Sequence, residues 1–257
     1  MKVAVCLSGH TRGFQIKSGA LQETFIKSIV NNYNADVFIH TWDVEGIGIN
    51  RKPLNKKNRK KEVLEKIKNN SKYGNAELEF RRDGPTIYEK DFENIPNIKN
   101  VIIENYKSVE PEILKICDLI NLSKATCTFG NYSPNFVSAQ RKIYLCNELK
   151  KQQEEINGTY DIVIRTRCDI KDYNFDLPNP VPDNTIYLEN SQAYHGLSDI
   201  FAFGNSDIMN KYAELYLNIP KYAEENRDFN PHSIIKYHLE EYSKLEVTVV
   251  PAACHLA

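Results

Sequence analysis

The 257-residue sequence predicts an α/β fold, a mixed, mostly parallel central sheet flanked by helices in a single domain, and three observations carry that expectation. Strand-like and helix-like hydrophobic patterns alternate from the first residues onward, which is the signature of βαβ units. The segment Tyr160 to Thr166 (YDIVIRT) is a short continuous apolar run that turns charged at its end, as strands buried on both faces do. Hydrophobic residues make up 41% of the chain and charged residues 26%, which provides for one substantial core and excludes the disordered and fibrous classes.

The elements follow in order. Lys2 to Leu7 is apolar and β-branched, Ser18 to Asn31 carries Leu21, Phe25 and Ile29 at helical spacing, and Asp36 to Thr41 is a second strand. A βαβ opening of this kind lays its helix on a parallel sheet, and open α/β sheets receive ligands at the carboxyl ends of their strands. The loops Ser8 to Phe14 and Thr41 to Gly48 are therefore expected on the functional edge. From Arg51 to Lys72, Lys and Arg crowd among Asn, which reads as an exposed basic insertion with at most one short helix; a solvated face is favoured there over a basic lip for an anionic ligand.

Further on, Asn100 to Glu104 is strand-like, Pro111 to Leu122 is helix-compatible, and a long helix spans Ser138 to Ile156, ended by Asn157-Gly158. Thr185 to Leu188 and Ser198 to Phe203 read as strands. Ser206 is expected to cap a helix reaching Leu217, Pro231 to open another reaching Tyr242, and Leu245 to Val250 to close the fold as a strand.

Charge and composition narrow the function classes. A net charge of -1 gives no global field for nucleic acid or an anionic membrane, and the basic insertion lacks aromatic residues for base stacking, so no nucleic-acid partner is expected. No apolar run approaches the length of a membrane span, and the apolar stretch in MKVAVCLSGHTRG is too short for a secretory leader, so a cytoplasmic protein without an integral membrane segment is expected. The sequons at Asn121, Asn131 and Asn157 then carry no glycan. The six cysteines show no C-x-x-C pair and no zinc-ligand spacing, which predicts free, structural thiols.

Chemistry concentrates in Arg165-Thr166-Arg167-Cys168-Asp169, where two guanidinium groups and a carboxylate emerge from a hydrophobic strand. Placing charges there costs several kcal/mol per ion unless they are paired, so a functional need for them is the first reading and an ion pair closing the strand end the second. Arginine offers a planar fork for phosphate oxygens, and a carboxylate can hold a divalent cation against a diphosphate. The loop Ser8-Gly9-His10-Thr11-Arg12-Gly13 lies between strand and helix, where small residues let the backbone approach a nucleotide, and His40-Thr41-Trp42-Asp43 ends the second strand beside it. Asp199, opening the apolar run DIFAF after Tyr194-His195-Gly196-Leu197, is the candidate catalytic base; the alternative is an Asp that closes a turn. The polar start of the helix at Asn230-Pro231-His232 reads as a cap.

The run YDIVIRTRCDI, the preceding helix with Ser138, Gln140 and Arg141, the opening VAVCLSGHTRGF, and the phrases DVFIHTWD and SDIFAFGNSDIM together resemble a group of GT-A-like glycosyltransferases of polysaccharide-synthesis loci and large DNA viruses. The resemblance extends from Val3 to about His238, with the basic insertion unmatched. It implies a GT-A-like, Rossmann-like domain that moves a sugar from a nucleotide-diphosphate sugar donor to a glycan or glycoconjugate acceptor, in the host cytoplasm if the chain is viral. It further implies that Ser8, Gly9, His10, Arg12, Thr41, Arg141, Arg165 and Arg167 face the donor, and that Asp169 and His255 ligate a divalent cation, Mn or Mg. Arg167 stands where the first acid of the D-x-D motif would be, so that cation is expected to be weakly bound or dispensable. The competing reading is a catalytically silent nucleotide-sugar or glycan-binding module of the same fold.

Overall fold

In a computed structural model, the described residues are 1–14, 19–46, 85–122, 134–189, 196–250 and 253–256; the basic insertion expected at 51–72 lies outside them, as do Tyr194 and His195. The strands are β1 (Val3–Ser8), β2 (Asp36–Trp42), β3 (Ile98–Glu104), β4 (Ile162–Thr166), β5 (Ile170–Tyr173), β6 (Thr185–Glu189), β7 (Phe201–Gly204), β8 (Glu246–Val250) and β9 (Cys254–Leu256). Seven of them form one sheet in the order β3-β2-β1-β4-β7-β6-β8, and β5 pairs with β9 in a separate ribbon. Only β7 runs against its neighbours: β1, β2, β3 and β4 are mutually parallel, and β6 and β8 are parallel to each other.

Burial on both faces explains why β1 and β4 are continuous apolar runs. Val3, Val5 and Leu7 enter one core with Phe25, Ile29 and Ile164, whereas Ala4 and Cys6 enter the opposite core with Phe38, Val163 and the helices listed next. The first face is covered by α1 (Ala20–Phe25), which widens into a π-helical turn over Ile26–Asn31, and by the β5–β9 ribbon. The second carries α2 (Tyr106–Leu122), α3 (Pro134–Asn157), α4 (Ser206–Ala213), α5 (Leu215–Glu224) and α6 (Pro231–Lys236), the last continued over Tyr237–Tyr242. The architecture is thus the mostly parallel α/β sheet expected from the alternating patterns.

Several boundaries differ from the expected ones for identifiable reasons. Helix α2 begins before Pro111, because the Asn105 side chain accepts the Ser108 N–H at 3.2 Å and starts the helix ahead of the proline. The cap of α4 is Asn205, whose Oδ1 accepts the Ile208 N–H at 2.9 Å, and the helix breaks at Glu214 short of Leu217. Ser206, expected as that cap, instead serves a buried cluster: Lys150 Nζ donates to Ser206 Oγ at 2.5 Å, to Asn210 Oδ1 at 2.8 Å and to Glu154 Oε2 at 2.8 Å. The ribbon strands β5 and β9 were not expected at all; they are too short to show a period in sequence. All five described cysteines are buried and unpaired.

The Lys150 ammonium is wholly buried and joins α3 to α4; without it the Glu154 carboxylate keeps the Ser206 hydroxyl and the Tyr160 N–H but loses the charge that pairs with it. Breaking a buried pair from one side costs about 3–5 kcal/mol. Lys150→Ala is therefore expected to lower the urea unfolding free energy by about 3 kcal/mol; a loss under about 1 kcal/mol, the size of an exposed pair, would show that the cluster does not hold the two helices.

Candidate functional site

The sheet order sets the position of the site. From β1 the chain proceeds outward to β2 and β3, then crosses back to place β4 on the other flank of β1. This reversal makes β1 and β4 the topological switch point, where a crevice opens beyond the strand ends. A cleft of ≈ 310 Å³ lies there, lined by Ser8, Gly9, His10 and Arg12 after β1, Trp42 after β2, Arg165 and Arg167 at the end of β4, and Asp199 before β7. Asp199 reaches this edge because β7 is antiparallel to β4, with Phe201 opposite Thr166, so the start of β7 sits beside the end of β4. Helix α3 contributes Asn135, Phe136, Ser138 and Ala139 to the wall. A larger hollow of ≈ 520 Å³ opens at the opposite edge, but its lining sets Asp161, Asp183 and Asp207 against the single Met1 ammonium, 3.9 Å from Asp161, which makes it a poor seat for an anionic ligand.

Asp169 organises the basic side of the cleft. Arg167 donates to it twice, Nε to Oδ1 at 2.8 Å and Nη2 to Oδ2 at 2.7 Å, and Arg12 Nη1 donates to Oδ2 at 3.0 Å. Burial alone would raise the Asp169 pKa; the charges and hydrogen bonds of Arg167 and Arg12 outweigh it and hold the carboxyl below its ordinary 3.8. Arg12 takes a left-handed backbone, φ 44, followed by Gly13 at φ 92. The strain of a non-glycine residue there, about 1 kcal/mol, is held by the Arg12 N–H bond to the Glu45 carbonyl at 2.9 Å and by the Asp169 pair. Gly9 is also left-handed, at φ 106 with open space where a Cβ would point, so its glycine serves the turn and not a close approach. Its N–H donates to the His40 carbonyl at 3.2 Å and its carbonyl accepts the Thr41 hydroxyl at 2.8 Å.

Arg165 is buried and ties three segments together. Its Nε donates to Ser8 Oγ at 3.4 Å and its Nη1 to the Asp199 carbonyl. The other restraint on Asp199 comes from α6: the Leu197 N–H donates to the His232 carbonyl at 3.1 Å, and His232 Nδ1 lies 2.9 Å from the Leu197 carbonyl. Gly196 packs so tightly on the His232 backbone that a Cβ would collide with it. The Asn230 side chain caps α6, accepting the His232 N–H at 3.0 Å, as the sequence suggests.

Other expected site residues frame the cleft without lining it. Arg141 is committed to Glu104 at 2.5 Å and Glu112 at 3.2 Å, outside the cleft wall. Its neighbour Lys142, not singled out from sequence, is fully buried: its Nζ donates to the Thr41 carbonyl at 2.8 Å and to Glu104 Oε2 at 2.9 Å, and sits 3.5 Å from the centre of the Trp42 ring. The two partners shift in ways that reflect their surroundings. Burial pushes the Lys142 ammonium down to about 7 against the pull of Glu104, whereas burial of Glu104 is overcome by Arg141 and Lys142 together, which bring it below its ordinary 4.5. His40 is buried beside this group and lowered to about 3 by burial and then by Lys142, so it is neutral and unsuited to acid-base work. A consecutive Arg-Lys pair on an otherwise packed helix, facing a strand that ends in Glu, is the signal that sequence reading passed over.

The divalent cation implied by the resemblance does not fit these residues. Both Asp169 oxygens already accept guanidinium N–H groups, and like charges about 4 Å apart near a protein surface repel by about 4 kcal/mol. His255 lies on the β5–β9 ribbon with Nδ1 2.5 Å from Asp172 Oδ1, half exposed and outside the cleft. Among the described residues, no group of three or more His, Cys, Asp or Glu side chains is placed to hold a metal ion. No helix among them is long and apolar enough to cross a membrane.

No protein-family model and no curated protein matches the chain. Among solved structures, the chain is similar to the crystal structure of mouse xyloside xylosyltransferase 1 in its apo form, over 98% of this chain and 85% of that one, at 9% sequence identity and a TM-score of 0.41. At that identity and score the likeness assigns neither residues nor activity.

Asp169 and Glu104 have pKa values depressed by folding, so each contributes stability that is fully present above its ordinary value and is lost as pH falls through the depressed one. The buried histidines His40 and His238, lowered to about 3 and about 4, cost stability as soon as the unfolded chain protonates them, so the melting temperature is expected to fall gradually below about pH 6.5 and more steeply below about pH 4.5, where the carboxylates join. In Asp169→Asn it should start lower and fall less steeply. Parallel acid limbs in the two proteins would show that the arginine bridge is not what acid removes.

Proposed function

We propose that this chain is a glycosyltransferase that moves a sugar from a nucleotide-diphosphate sugar to a hydroxyl of a glycan or glycoconjugate. One observation carries the reading: a cleft at the switch point of the sheet has Arg12, Arg165 and Arg167 on its wall and the carboxylate residue Asp199 beside them. Guanidinium groups suit the phosphates of a donor. The loop after β1 and the His10 ring, which stands 6.2 Å from the buried Trp42 ring, offer a partly aromatic wall for the base or sugar. The sequence segments that resemble GT-A-like glycosyltransferases supply most of these residues.

In the proposed reaction, the acceptor oxygen forms a bond to the anomeric carbon as the bond from that carbon to the phosphate oxygen breaks. The bonding electron pair leaves on the diphosphate, where the guanidinium groups stabilise the developing charge. The acceptor proton passes to the Asp199 carboxylate, a general-base role worth typically about 10²–10⁴-fold in rate. Arg165 holds the Asp199 backbone, and the Gly196–His232 contact fixes the approach to it, so the base is placed by two elements other than its own strand.

A thermal-shift panel of nucleoside diphosphates and nucleotide sugars is expected to show selective stabilisation by one nucleotide class. With that donor, Asp199→Asn should lower turnover by about 10²–10⁴-fold and leave donor affinity within about threefold. Binding without turnover toward any acceptor would favour the silent binding module, and a panel with no response would sink the nucleotide reading.

A further inference from the structure

We infer that the donor's diphosphate is held by the guanidinium groups of Arg12, Arg165 and Arg167 without a bridging metal ion, and that Asp169 is the positioning residue that aims two of them. The inference rests on the proposed nucleotide-sugar reading and specifies how that site takes its anionic ligand. A carboxylate that ligates a cation must present oxygen lone pairs to it. Here Oδ1 accepts from Arg167 Nε at 2.8 Å, and Oδ2 accepts from Arg167 Nη2 at 2.7 Å and Arg12 Nη1 at 3.0 Å, so three of the four lone-pair sites are taken and a cation on the fourth would sit beside two guanidinium charges.

The same geometry suits an anion. The bidentate grip of Asp169 on Arg167 fixes the plane of that guanidinium, and a guanidinium has more donors than Asp169 uses. Arg165 is fixed independently by Ser8 and the Asp199 carbonyl, so the groups come from the β1 loop and the end of β4, on both sides of one cleft. With Asp169 and Asp199 counted against them, the arginines leave the cleft wall net positive, a charge that a diphosphate neutralises. Preorganisation replaces the cation: the positive groups are already in place before the ligand arrives.

Isothermal titration of the full chain with inorganic pyrophosphate, UDP and GDP tests this, each in EDTA and in Mn²⁺. The expected result is binding in EDTA, with affinity changed less than threefold by Mn²⁺ and weakened by salt, and with losses of tenfold or more in Arg12→Gln and Arg167→Gln. Asp169→Asn turns one of the two accepting oxygens into an N–H donor that faces a guanidinium, so the aim of Arg167 and Arg12 is lost and affinity should fall tenfold or more equally in EDTA and in Mn²⁺, whereas loss of a cation ligand would weaken only binding that Mn²⁺ supports. The wild-type comparison does not depend on any variant folding. Binding that appears only with Mn²⁺ overturns the inference and leaves the transferase reading standing; binding of none of the three in either condition overturns both.

Discussion

The bridge from Arg167 through Asp169 to Arg12 joins the end of β4 to the loop after β1, segments that pair as strands but whose ends the sheet alone does not fix. Leaving the guanidinium groups unpaired in that setting would cost several kcal/mol of desolvation per ion. The carboxylate removes most of that cost and in return dictates where the arginines point. The left-handed backbone at Arg12 is supported by its N–H bond and by its side-chain pair with Asp169, so losing Asp169 would loosen loop geometry as well as remove charge. What reads in sequence as a ligand-binding acid is, in space, the keystone of a cation cluster.

A second buried cation cluster stands behind the first and does different work. Lys142 spends its ammonium on the Thr41 carbonyl, Glu104 and the Trp42 ring, which locks the end of β2 and the aromatic wall of the cleft. Arg141, one residue earlier, turns outward to Glu104 and Glu112. The cleft therefore has a wet cationic wall that a ligand can reach and a dry cationic frame that it cannot. Assigning Arg141 to the donor confuses the two, because Arg141 and Lys142 converge on the same Glu104 carboxylate and neither lines the cleft.

How legible each part was follows from which physical signal it left in the chain. The central strands were plain in sequence because burial on both faces forces an apolar run, and Arg165, Arg167 and Asp169 stood out because charges at the end of such a run are costly. The neighbourhood of Asp199 depends on β7 running against β4, and strand direction leaves no trace in a four-residue apolar segment. The β5–β9 ribbon is equally silent, and with it the separation of His255 from the cleft. The start of α2 was missed because Pro111 looks like a first helical residue, whereas the capping Asn105 was hidden next to a strand end. In each case the missing information was tertiary: which residue a side chain meets, not what kind it is.

The local charge of the cleft also has to be reconciled with a chain that is nearly neutral overall. A net charge of -1 provides no long-range steering, and at physiological salt fields from exposed charges fade within about 8 Å. Discrimination must then come at contact distance, from arginines whose planes are already set and from an opposite edge whose hollow presents Asp161, Asp183 and Asp207. Self-neutralisation by Asp169 fits that design. A fully exposed triple cation would bind any polyanion, whereas for the proposed diphosphate ligand a bridged one adds a requirement of angle to the requirement of charge.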